Sequence, residues 1–117
     1  MSPESELSLK AEALMAAGKY GDVIAMRRTL KPKENAAHAD LLSRAYVMKG
    51  NALVDKALPR GEAATGPLLK QAGEKYAAAL KIKPDDHEAL VQGTTHPRLR
   101  PFFMAAIIRP MPSANYG

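Results

Sequence analysis

Cysteine is missing from this 117-residue chain, which excludes disulfides, thiolate metal sites and a cysteine nucleophile and is compatible with a reducing compartment. Aromatic residues supply only 5% of the chain, while Ala, Leu and Lys are the commonest residues, a balance that favours helix over sheet. Long apolar runs are lacking too. The strongest block, Phe102 to Ile108, has seven residues, against the roughly 20 that a membrane-crossing helix takes. The start of the chain has no basic segment followed by an apolar run of the secretory kind. Instead Ser2-Pro3-Glu4-Ser5-Glu6 reads as an N-cap, a proline at the first helical position and acids in the first turn. These absences lead us to expect a soluble, cytoplasmic, all-α domain with one small core.

The most informative stretch present is Ala72-Gly-Glu-Lys-Tyr76-Ala-Ala-Ala79-Leu-Lys-Ile-Lys-Pro84. Ala72, Tyr76, Ala79 and Leu80 fall at i, i+4, i+7 and i+8, one stripe of a helix, with Lys70, Lys75, Lys81, Lys83 and Glu74 on the other faces. Small residues around one aromatic let a neighbouring helix approach closely, with the Tyr ring filling the gap. Pro84 then stops the helix, and Asp85 or Asp86 can cap the next one.

This order, Ala-x3-Tyr-x2-Ala-x4-Pro, resembles the second half of a tetratricopeptide repeat. Two further segments extend the resemblance. Ala11 to Ile24 looks like a helix end, a turn at Gly18 and a second helix on which Tyr20 packs back, with Gly18 suited to the left-handed conformation. Lys31-Pro32 to His38 and Leu41 echoes Lys83-Pro84 to His87 and Leu90, with three extra residues before the first His. The echo recurs at about fifty residues, longer than the standard repeat, and Pro59 to Pro67, with two Pro and two Gly, is the expected loop that absorbs the excess. The resemblance covers about two to two and a half divergent repeats, with Gly18, Tyr20, Ala72, Tyr76, Ala79 and Pro84 as structural signature.

Five helices are expected, over about 3–17, 21–30, 34–57, 67–83 and from 86 onward. Residues 1–92 form the repeat domain. Residues 93–117 contain four Pro and three Arg but no acid, carry +3 of the formal +5 charge, and are expected to be an atypical tail, either disordered or a partial capping helix. Gly93 arrives one position early for the repeat, so the tail reads as foreign to the array, through a shifted reading frame or a divergent end.

No residue group carries a convincing reaction. His38 and His87 follow Pro-containing breaks at helix starts and read as surface or capping residues rather than ligands. Asp85, Asp86 and Glu88 suit a helix start. Gly61 to Gly66 lacks the Gly-Lys-Ser/Thr ending of a phosphate loop. Two basic clusters, Arg27-Arg28 with Lys31 and Lys33, and Arg98, Arg100 and Arg109 beside Phe102 and Phe103, could hold phosphates and stack bases, but the modest net charge argues against nucleic acid. The expectation is a non-enzymatic protein with neither cofactor nor metal.

What the resemblance implies is a protein-binding scaffold: the first helices of successive hairpins line a concave groove for a partner peptide or helix. Its groove positions would be Ser8 and Glu12 on the first helix, Arg44, Met48 and Asn51 on the third, and Glu88 and Gln92 on the fifth. The third helix admits two registers, packing either Leu42, Ser43, Tyr46 and Gly50 or Tyr46, Gly50, Leu53 and Ala57. The Lys-x3-Asn clamp that some members use on a terminal carboxylate is absent, since Leu14 follows Lys10 and Val47 precedes Asn51 at that spacing. The alternatives are a self-associating assembly subunit that stacks end to end and a basic nucleic-acid-binding protein using the tail.

Overall fold

The first helix, α1 (Pro3–Ala16), ends as expected at Gly18, whose φ of 77° lets two bonds close the terminus. Gly18 N–H donates to the Met15 carbonyl (3.1 Å) and Lys19 N–H to that of Leu14 (2.9 Å), which satisfies carbonyls that the helix itself leaves open. The computed structural model describes residues 3–59 and 62–108, and every regular element among them is a helix: α2 (Tyr20–Ala25), α3 (Arg27–Leu30), α4 (Ala36–Ala57), α5 (Glu62–Ile82), α6 (His87–Thr95) and α7 (Arg100–Ile108).

Three boundaries differ from expectation. The second helix is interrupted at Met26, whose N–H bonds the Val23 carbonyl three residues back (3.0 Å) before α3 begins. Lys31 then takes the left-handed conformation at φ 47°, ahead of Pro32. The loop expected over Pro59 to Pro67 is far shorter, because α5 starts at Glu62 and runs through Pro67. A proline there forfeits one intrahelical bond, and the rest of the long helix carries it. Finally, α6 continues past Gln92 to Thr95 and a further helix, α7, follows. Leu99, Phe103, Ala106 and Ile107 repeat the i, i+4, i+7, i+8 spacing of Ala72, Tyr76, Ala79 and Leu80, and Leu99, Phe103 and Ala106 are buried.

Packing centres on α4 and α5. Helix α4 touches α1, α2, α3, α5 and α6, while α5 also touches α6 and α7. Both registers considered for the third helix are realised together: Leu42, Ser43, Tyr46, Gly50, Leu53 and Ala57 are all buried. A 22-residue helix is about 33 Å long, enough to meet neighbours on several sides at different heights.

Two ring-on-glycine contacts set the helix spacing. A Cβ added to Gly50 of α4 would lie 2.7 Å from Tyr76 Cε1 of α5. One added to Gly93 of α6 would lie 2.5 Å from Phe103 Cδ1 of α7. Helix α7 also lies directly on α5, since a Cβ on Gly73 would meet the Phe103 backbone nitrogen at 2.8 Å. Each contact needs the missing side chain.

Side chains fix the hairpin ends. Asn35 Oδ1 accepts from the N–H groups of Ala37 (3.0 Å) and His38 (3.2 Å) to cap α4. Asp86 Oδ1 caps α6 by accepting from Ala89 N–H (3.1 Å), and its Oδ2 accepts from the buried Ser43 hydroxyl of α4 (2.5 Å). Lys81 donates to the Ala106 carbonyl near the end of α7 (2.8 Å), where a cation favours the helix dipole.

Substitution of these glycines has ranked consequences. A tyrosine ring can tilt aside, but backbone cannot, so Gly73→Ala should destabilise more than Gly50→Ala, both within about 1–3 kcal/mol or somewhat above. Urea unfolding of the two variants checks the order; equal midpoints would show that α7 does not depend on this close approach.

Candidate functional site

The faces expected to bind a partner lie on α1, α4 and α6, and α4 is in contact with both of the others. Glu12, Arg44, Glu88 and Gln92 are exposed on these helices, while Ser8, Met48 and Asn51 are half-buried. Two of the seven are engaged in the fold. Asn51 Oδ1 accepts from the Tyr76 hydroxyl (2.6 Å), and Ser8 Oγ lies 2.8 Å from His38 Nε2.

The Tyr76 hydroxyl ties α5 to α4 through Asn51 and lies within the field of carboxylates on α4 and α6. Its ring is 1% exposed, and burial, followed by the charges of Asp55 on α4 and Glu88 on α6, pushes the hydroxyl up to about 12 from the ordinary 10.0. Each cause disfavours the phenolate, burial by desolvation and the carboxylates by repulsion. The proton is therefore held firmly on the oxygen that donates to Asn51. The consequence for α4 is that Asp55, beyond the expected groove set, belongs to the same polar neighbourhood as Asn51 and Glu88. Its place at i+4 from Asn51 was the available sequence signal.

His38 corrects the reading of the histidines as surface or capping residues. It is 2% exposed and sits between α1 and α3. Its Nδ1 lies 2.7 Å from the Leu30 carbonyl oxygen; a carbonyl only accepts, so Nδ1 carries the hydrogen, and in the neutral ring Nε2 accepts from Ser8. His87, in contrast, is exposed at the first position of α6. Measured from the caps, Asn35 corresponds to Asp86, so His38 matches Ala89 rather than His87. Of the three extra residues seen in the sequence, one lengthens the stretch between Pro32 and its cap and two are an offset in helix position. Among the described residues no three His, Asp or Glu side chains gather as a metal-binding group.

The basic clusters are also partly committed to packing. Arg27 donates to the Tyr46 hydroxyl (3.4 Å), and Arg98 to the buried Thr65 hydroxyl of α5 (2.5 Å). Arg109 lies outside the described residues. Lys83 pairs with Asp40 at 2.9 Å on the surface, and that hydrogen bond and charge raise the Lys83 ammonium above its usual range. A shallow cavity of about 330 Å³ opens between the α1–α2 turn and α4, where Lys19, Tyr20 and Asp22 face Lys49 and Ala52. It holds the signature residue Tyr20, half-buried, and none of the expected groove residues.

Two measurements follow. Tyr76 has a folded value above its unfolded one, so its stabilising contribution is complete below pH 10 and is lost as pH rises toward 12; a shift of this size corresponds to roughly 2–3 kcal/mol. Tyr76→Phe should flatten that alkaline loss in pH-dependent urea unfolding, and an unchanged slope would place the loss elsewhere. His38→Phe leaves the Leu30 carbonyl without its partner and should cost about 1–3 kcal/mol, whereas Ser8→Ala, at a half-buried position, should cost less. No family model, curated protein or solved structure matches this chain.

Proposed function

We propose that this protein is a non-enzymatic interaction module, a short array of helical hairpins similar to tetratricopeptide repeats, that holds a partner peptide or helix along the side shared by α1, α4 and α6. The observation that carries this reading is the contact of α4 with both α1 and α6, combined with exposure of Glu12, Arg44, Glu88 and Gln92 on those same helices. Helix α5 supplies much of the core, including Leu69, Ala72, Tyr76 and Ala79, and α7 adds Phe103 and Ala106. The groove is polar and of mixed charge, with half-buried Met48 as its adaptable apolar contact. Such a surface selects a partner by hydrogen bonds and charge placement, with the apolar share of the energy limited to a few anchors. Asn51 and Ser8, already bonded within the fold, serve as the floor of the groove rather than as free contacts.

Selection from a displayed peptide library followed by amide chemical-shift mapping tests the reading. Bound peptides should perturb Arg44, Met48, Glu88 and Gln92, and Arg44→Ala with Gln92→Ala should weaken the selected peptide at least tenfold, about 1.4 kcal/mol. Perturbations confined to α5 and α7, or no enriched peptide, would overturn it.

A further inference from the structure

We propose that copies of this chain stack head to tail, with the α6–α7 end of one copy docking on the α1 face of the next. The inference is independent of the groove reading. It begins with where apolar surface is left uncovered. Six large hydrophobic side chains are exposed among the described residues, and four of them, Leu90, Val91, Met104 and Ile108, lie on α6 and α7. Ile108 is 78% exposed. On α7 the buried and exposed stripes are separate: Phe103 and Ala106 face the core, while Pro101, Met104, Ala105 and Ile108 face outward. A helix apolar on both sides expects a neighbour on each.

The chain's own packing indicates what that neighbour is. Within the protein, the first helix of a hairpin packs against the preceding hairpin: α4 meets α1, α2 and α3, and α6 meets α4 and α5. The described residues contain no such helix beyond α7. Helix α1 is the first helix that has no preceding hairpin among them, and it carries a second, outward stripe. Ala11 is buried, with Leu7, Leu14 and Met15 packed partly against the core, whereas Leu9, Ala13 and Ala16, at i, i+4 and i+7, are exposed. The two small alanines permit close approach by the bulkier Met104 and Ile108 of another copy.

Charge gives the pairing its direction. Helix α1 carries Glu6 and Glu12 against one Lys10, whereas the stretch from α6 through α7 carries Arg98 and Arg100 against one acid, Glu88. Glu6, Glu12 and Arg100 are all exposed. Two α6–α7 ends would bring like charges together, and so would two α1 faces. An α1 face opposite an α6–α7 end joins opposite charges, which steers and orients association more than it strengthens it. This contact is heterologous, so it generates open chains of increasing length rather than a closed dimer unless its rotation happens to close a ring.

Complementation tests the proposal on the full chain. Light scattering should give an average mass that rises with protein concentration. Met104→Asp with Ile108→Asp disables one surface, and Leu9→Asp with Ala13→Asp disables the other; all four positions are exposed, and circular dichroism with thermal melting checks that each variant folds. Each should be monomeric alone, and a mixture should form a one-to-one complex and nothing larger, because only one intact pair of surfaces remains. Where an aspartate variant does not fold, Glu6→Arg with Glu12→Arg should weaken association at least tenfold, and adding Arg100→Glu should restore part of it. A wild-type chain that stays monomeric at every concentration overturns the proposal. So does an α1 variant that still self-associates alone, which would indicate symmetric pairing through α7.

Discussion

The seating of an aromatic ring on a glycine is the contact on which this fold depends. Tyr76 of α5 lies over Gly50 of α4, and Phe103 of α7 lies over Gly93 of α6. An aromatic side chain buries on the order of 150–250 Å², worth up to roughly 4–6 kcal/mol by area, an upper figure because the unfolded chain is already partly collapsed. No hydrogen bond in the fold approaches that magnitude, since a typical one contributes about 1 kcal/mol net. The ring therefore sets the distance between paired helices, and glycine is the residue that makes this distance short. Smaller core residues follow from the same spacing. Ala45, Ala57, Ala72 and Ala79 are each 0% exposed, and a larger side chain at such positions would push apart helices that the rings hold together.

Apolar contact of this kind is non-directional, and the hairpins are oriented by polar ties between elements. His38 joins α1 to the end of α3, Ser43 holds the Asp86 cap of α6, Arg98 reaches Thr65, and Lys81 reaches Ala106. Among the described residues no buried side-chain nitrogen or oxygen lacks a hydrogen-bond partner. That completeness matters more than the energy of any one tie, because a wrong helix rotation would leave several of these groups buried and unpaired, at about 1–3 kcal/mol each. The rings decide how close the helices stand, and the ties decide their rotation and height.

Legibility in the sequence follows the same division. Gly18 was readable because its role is local: a left-handed terminus and two backbone bonds. The Ala72 to Leu80 stripe was readable because one helix supplies the whole pattern. The equivalent stripe from Leu99 to Ile107 was present in the sequence but masked by Pro97 and Pro101, which suggest irregular chain although Pro101 stands at the second position of α7, where a helix needs no donor. Pro67 misled in the opposite direction, as a loop signal inside a helix long enough to carry the lost bond. The matching of His38 with His87 failed because proline was used as the reference point, whereas the caps Asn35 and Asp86 set helix register. Among groove positions, Asn51 and Ser8 could not be recognised as internally bonded, since their partners Tyr76 and His38 lie 25 and 30 residues away.

The proposed groove and the proposed stacking ends differ in physical character, which gives them separate roles. The groove side of α4 and α6 presents Arg44, Glu88 and Gln92, so its contacts are directional and remain hydrated until a complementary partner supplies the missing bonds. The ends present Leu9 on one side and Met104 and Ile108 on the other, so their association is driven by burial and tolerates imperfect polar matching. Stacking would extend the groove without occupying it, because α1 of one copy would continue the row begun by α4 and α6 of its neighbour. Each added copy would then contribute a further set of groove side chains in register. A partner long enough to span two copies would be bound at both, the second contact being favoured by the high effective concentration that the first imposes.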